Sequence, residues 1–214
     1  MKILLSLMAL LLVGTGYAQK AEDLFASGNT KVSWLGIDFS HVKLIGQFAQ
    51  FGSAGEKNAT QIKSVYFPGW NNLIPDEREK YDVAGMLRKD KVFYDLDMIT
   101  AINANAPTEA LETHNAPQYS REDIEKFISS YNTSGKEGIG VLFVAEALNK
   151  ASTEAWFHFV AINMTTKEIL IHDRLRGEPS GIGIRNYWAG AIHDVITQIS
   201  KNRYRDWKSQ FAQE

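Results

Sequence analysis

His158, His172 and Asp173 are the residues whose types and spacing could do chemistry together. His158 interrupts an apolar run, Trp156 to Ile162. His172-Asp173 ends a second run that begins at Glu168. Between them Asn163-Met164-Thr165-Thr166-Lys167 has turn chemistry. An antiparallel hairpin with Asn163 facing Glu168 then places Val160 opposite Ile171, Phe159 opposite His172 and His158 opposite Asp173. Facing side chains in such a ladder lie about 4.5–5.5 Å apart at Cβ, so a His158–Asp173 hydrogen bond is expected. A histidine oriented by an aspartate makes two parts of a nucleophilic triad, and no nucleophile signature accompanies it. The competing reading is a polar pair in which each satisfies the other at the end of a buried strand.

Three further groups have chemical potential. Asp95-x-Asp97 in KVFYDLDMITAI puts two carboxylates on one face if the segment is a strand, which would suit a divalent cation or a proton-sharing pair; no calcium-loop pattern surrounds them, and a solvated strand end competes. Gly181-Ile182-Gly183-Ile184-Arg185-Asn186 joins a strand to a helix. Its amides, with Gly181, Gly183, Arg185 and Asn186, could hold an anion. It lacks the Gly-Lys-Ser/Thr of a Walker loop and the third glycine of a dinucleotide fingerprint, so a tight structural turn competes. Asp38, Ser40 and His41 stand where an extended segment gives way to a loop, a place where sites gather in α/β sheets; ordinary turn polars at a strand end are the competing reading.

The elements that must position these residues follow from pattern. Lys31 to Ile45 reads as one extended segment, Ser53 to Phe67 as a helix ended by Pro68-Gly69, and Asp76 to Lys89 as a charged helix. Lys91 to Ile102 reads as a strand, and 103–119 as a polar connection. Ser120-Arg121-Glu122-Asp123 is close to a capping box and starts a helix with Ile124, Phe127, Ile128 and Tyr131 on its apolar stripe. Gly138 to Leu148 is a buried strand and leads into the hairpin. In the hairpin, Trp156, Val160 and Ile162 share one face and Phe157, Phe159 and Ala161 the other, as in a strand covered on both sides. Arg185 to Ser200 is the last long helix, and 203–211 adds a turn that packs Trp207 and Phe211. The expected fold is a single α/β domain with a mixed sheet of about five strands and about four helices.

The first eighteen residues have the form of an export signal: Lys2, an apolar run from Ile3 to Val13, then Gly16-Tyr17-Ala18. The run is too short for a confident membrane span, so a soluble domain of residues 19–214, periplasmic or secreted, is expected. The 214-residue chain has no cysteine, which excludes disulfides, thiolate metal sites and cysteine nucleophiles. Its 23 basic and 25 acidic residues nearly balance and no basic cluster points to nucleic acid. No cofactor motif is present.

The stretch VLFVAEAL … AWFHFVAINMTTKEILIHDRLRG … GIGIRNYWAGAI looks like secreted proteins of Gram-negative envelopes. The Asn163-Met-Thr-Thr-Lys-Glu-Ile turn is similar to the Asp-x-x-Thr-Gly-Lys/Glu-Val hairpin turn in the periplasmic α/β domains of the curli-secretion lipoprotein and the TolB amino-terminal domain. Asn163 replaces the Asp, Lys167 replaces the Gly, and there is no lipid-anchor cysteine. The resemblance spans a third of the chain. It implies helices packed on a mixed sheet and a role in envelope assembly, and assigns no site residue. The expected function is therefore a non-enzymatic domain that binds another envelope protein or a ligand, as a monomer or a homo-oligomer. The alternatives are a secreted hydrolase using His158 or His172 with Asp173, and a small anion-binding protein.

Overall fold

The computed structural model describes residues 19–26, 30–46, 48 and 58–211. The export signal and the start of the helix expected from Ser53 lie outside these residues. Seven strands form one mixed sheet: β1 (Val32–Asp38), β2 (Lys43–Ile45), β3 (Phe93–Tyr94), β4 (Glu112–Thr113), β5 (Ile139–Asn149), β6 (Glu154–Asn163) and β7 (Ile169–Gly177). They fill only five positions. Both β1 and β2 run parallel to β5, β1 against Ile139 to Val144 and β2 against Ala147 to Asn149. They thus lie end to end along one edge of β5. Outside them β3 pairs with β1, and β4 with β2, again in parallel. On the other side β5, β6 and β7 form an antiparallel meander. The single α/β domain with a mixed sheet is as the pattern implied; the two strands beyond the expected five arise because segment 31–45 divides into β1 and β2 and because β4 forms within the connection expected over 103–119.

The helices are α1 (Ala59–Gln61), α2 (Phe67–Asp76), α3 (Val83–Met86), α4 (Asp97–Ala104), α5 (Arg121–Ser129), α6 (Gly183–Gln198) and α7 (Tyr204–Phe211). A π turn, Ile62–Tyr66, joins α1 to α2, and a second, Ile199–Arg203, joins α6 to α7. One face of the sheet packs on α2, α6 and α7 through Trp34, Phe143, Phe157, Phe159, Trp188 and Trp207. The other packs on α4 and α5 through Leu35, Ile99, Ile124, Ile128, Val144 and Val160. No helix among the described residues is long and apolar enough to cross a membrane.

Several expected elements change form. The extended segment 31–45 breaks at Phe39–Val42 because β5 is itself bulged at Glu146 and has no continuous edge to offer. Pro68-Gly69 does not end a helix. The Phe67 amide bonds to the Ile62 carbonyl, five residues back, and the reset register puts Pro68 in the first turn of α2, where a missing N–H costs nothing. The helix expected over 76–89 shrinks to α3, because Asp82 breaks the run by accepting from the Gly85 amide at 2.7 Å and capping its own short helix. The strand expected over 91–102 is two residues long. Its ladder ends where the Asp95 amide reaches the Trp34 carbonyl, and Asp97 opens α4. By contrast, Ser120 and Asp123 form the capping box of α5, and the two hairpin faces divide as the alternation implied.

Candidate functional site: a buried carboxylate and two histidines

The polar groups of this protein gather where the sheet is irregular. Glu146 is the extra residue of a β-bulge: Ala145 faces Phe157 and Ala147 faces Trp156, with Glu146 between them and unopposed. A bulge re-aims one side chain out of strict alternation. Here it sends a carboxylate to the α5 face, where it is fully buried. A buried charge is tolerable only with partners, and Glu146 has three. Arg174 on β7 grips it with Nε at 3.1 Å and Nη2 at 2.5 Å, the Tyr119 amide donates at 2.9 Å, and His158 Nε2 lies at 3.0 Å. Arg174 is itself laid over the Trp156 ring at 3.6 Å.

The hairpin is the expected one in its turn, since the Asn163 amide bonds to the Glu168 carbonyl at 2.9 Å. Its register is not. Leu170 bulges out between Ile169, which faces Ile162, and Ile171, which faces Ala161. That one extra residue moves every later partner by one: His172 faces Val160, Asp173 faces Phe159 and Arg174 faces His158. Asp173 therefore points to the opposite face of the sheet. There it accepts from Arg203 Nε at 2.7 Å and from the Trp207 indole at 3.0 Å, pinning the C-terminal helix. The expected His158–Asp173 pair does not form. The second histidine takes its place: His172 Nε2 lies 2.8 Å from His158 Nδ1, with the rings inclined by 14°.

The result is a chain of groups, Glu146–His158–His172, from a fully buried carboxylate to a half-buried imidazole on the edge strand. Burial pushes the Glu146 carboxyl up, but the bonds from His158, Arg174 and the Tyr119 amide, with the Arg174 charge, hold it below the ordinary value. Burial, then the neighbouring His158 and Arg121 charges, lowers the His172 imidazole to about 4. Burial and the nearby Glu146 carboxylate push the Tyr119 phenol up to about 12.

No family model, curated protein or solved structure matches this chain.

A second buried pair lies beside it. Asp38 faces Val144 across β1–β5, and His158 faces the same residue across β5–β6. Asp38 accepts from the Tyr131 hydroxyl at 2.5 Å and the Ser40 amide at 2.7 Å, and burial with the Asp38 charge drives the Tyr131 phenol well above its usual range. His41 stacks on Phe127 at 3.6 Å between ring centres, and its carbonyl accepts from Tyr119 Oη at 2.6 Å. Burial lowers the His41 imidazole, against an opposing pull from Asp38.

The other sequence candidates lie apart from this tract. Asp95 is paired with Lys136, while Asp97 begins a helix, so the two do not share a strand face. Among the described residues no cluster of three or more histidines and carboxylates is arranged to hold a metal ion. Gly181 and Gly183 adopt φ +111° and +78° and let the chain turn into α6 as expected. Arg185, however, turns its guanidinium to Glu77 at 3.5 Å and to Asn186 Oδ1 at 3.2 Å, while Asn186 Nδ2 bonds back to the Ile182 carbonyl at 3.3 Å. That arrangement ties the loop to α2 and to itself rather than aiming charge at free amides.

Glu146 and Arg174 were missed by pattern reading. The signal for Glu146 was present: a lone carboxylate inside the otherwise apolar GVLFVAEAL has to be bulged, partnered or at an edge.

Proposed function

We propose that this protein is an exported envelope domain that acts by binding another envelope protein or a ligand, without catalysing a reaction. The observation behind this reading is that the fold spends its reactive side chains on each other. Glu146 is saturated by Arg174, His158 and an amide; Asp173 is taken by Arg203 and Trp207; Arg185 is turned to Glu77. The resemblance of the hairpin turn to periplasmic assembly domains supports the same class. The test is crosslinking in the native envelope with a photoreactive residue at position 182, where Ile182 stands 93 % exposed at the tip of its loop. A stoichiometric crosslinked partner supports the reading, and a protein that stays uncrosslinked and purifies alone counts against it.

One observation favours a second reading, a hydrolase. The Glu146–His158–His172 chain has the order of a carboxylate-oriented imidazole, with Glu146 in the role expected of Asp173. Among the described residues no hydroxyl is hydrogen-bonded to either histidine. Turnover of any ester or phosphoester that His172→Gln abolishes without unfolding the protein would establish this reading over the first.

A further inference from the structure

The His158–His172 contact has a property that neither reading uses. An N–H···N bond between two imidazoles needs one nitrogen with a proton and one without. With both rings neutral, His158 donates through Nε2 to Glu146 and accepts at Nδ1 from His172 Nε2. With one added proton the bond survives, because either ring can be the donor. A second proton leaves both junction nitrogens carrying hydrogen, and no bond can form.

We propose that this junction is an acid-operated latch: it holds edge strand β7 against β6 and the start of α5 while the two rings share at most one added proton, and releases that seam when both are charged. The inference goes beyond the binding reading and holds whichever function is correct. The surroundings decide which ring leaves. His158 is fully buried and keeps Glu146 as its partner in any protonation state. His172 is half-buried on a strand that pairs on one side only. The charged groups around it are His158 from β6, Arg121 and Glu125 from α5, and Asp173 on its own strand. Glu146 from β5 and Arg174 from β7 close the far side, with Tyr119 above and Asp38 and His41 beyond Val144. The carboxylates near His172 already have partners, Glu125 in Arg121 and Asp173 in Arg203, so the second proton taken up by the two rings meets no unpaired anion. The β6–β7 ladder, Arg174 on Glu146 and Arg121 Nη2 on the Ile169 carbonyl at 3.1 Å remain when the latch opens, so release loosens β7 around His172 without detaching the strand.

The test is an NMR titration of labelled protein from about pH 7.5 to about pH 3.5, following histidine rings and backbone amides together. His172 is expected to titrate well below an ordinary histidine. In the same step the amides of residues 170–176 and of Tyr119 should shift and lose protection, while those of Trp34 and Phe143 stay in place. In His172→Gln the side-chain amide can donate or accept at the junction but cannot titrate, so the step should vanish from a protein that is folded at pH 7. A ring that titrates while β7 and Tyr119 stay unmoved overturns the proposal, as does a step that survives His172→Gln. Should that variant fail to fold, the wild-type midpoints decide: a common midpoint for ring and β7 amides supports the latch, and separate midpoints overturn it.

Discussion

The two faces of the sheet use the same strands under different rules. On the α6 side, Phe143, Phe157, Phe159 and Trp207 pack ring on ring, for example Phe159 on Trp207 at 4.4 Å. On the α5 side, Leu142, Val144, Val160 and Ile162 surround Asp38, Glu146 and His158, all fully buried. Contact between apolar groups is non-directional, so the first face tolerates small adjustments at modest cost. A buried carboxylate tolerates none, because each missing partner leaves an unpaired charge or donor. A one-residue slip of β6 would carry His158 to the aromatic face and leave Glu146 without its imidazole. The polar face therefore fixes the register, and the aromatic face supplies most of the apolar burial.

That contrast can be broken most forcefully at Glu146. Glu146→Ala leaves Arg174 and His158 without their carboxylate and is expected to cost about 3–5 kcal/mol in chemical denaturation at pH 7. A loss below about 1 kcal/mol would show that the polar face does not enforce its own geometry. Next comes Asn71→Ala, which leaves the Ile37 amide without its acceptor and the Ile37 carbonyl with Asn103 alone, and should cost about 1–3 kcal/mol by the same measurement.

Acid should separate the faces without any mutation. His172 and His41 have lowered values in the folded state, so the unfolded chain takes up protons first as the pH drops below about 6.5. Stability is full above that point and falls toward pH 4, where His172 itself titrates. For His172 the loss is on the order of 1–2 kcal/mol after discounting for its solvent-exposed half. Glu146, also lowered, adds a further loss in the same direction as the pH falls through its own folded value. Denaturation midpoints that do not fall between pH 7 and pH 4 would contradict this sign. The smallest effect belongs to the aromatic side. Among the described residues the buried Tyr81 hydroxyl has no hydrogen-bond partner, so Tyr81→Phe should be neutral or stabilising by up to about 1 kcal/mol in thermal melts.

The same contrast explains what could be read in the sequence. Continuous apolar runs gave β5 and β6, turn residues gave the hairpin, and Ser120 with Asp123 gave the start of α5, because each of these is decided by neighbours in the chain. The bulges at Glu146 and Leu170 are decided by groups far along it. Glu146 bulges where β1 stops and β2 begins, and Leu170 bulges so that His172 and Arg174 can both reach the α5 face. Periodicity has no way to represent one extra residue, so the site built from those extra residues was paired wrongly by counting.

The outermost position of the sheet has a different origin from the rest. Beside β1 and β2 it consists of β3, the Asn71 side chain, the Asn103 side chain and β4, in that order. Asn71 Oδ1 accepts from the Ile37 amide at 2.7 Å, Asn103 Oδ1 accepts from the Phe39 amide at 2.7 Å, and both Nδ2 groups donate to the Ile37 carbonyl. Gly36 makes room, since a Cβ there would lie 2.5 Å from Asn71 Oδ1. These four pieces are contributed by widely separated parts of the chain, and the two amides reach Ile37 of β1 across 34 and 66 residues. Closing such loops is entropically slow, whereas the β5–β6–β7 meander needs only short connections. Assembly should therefore run from the meander outward, with the mosaic edge the last position to be filled and the first to be vacated when the protein begins to come apart.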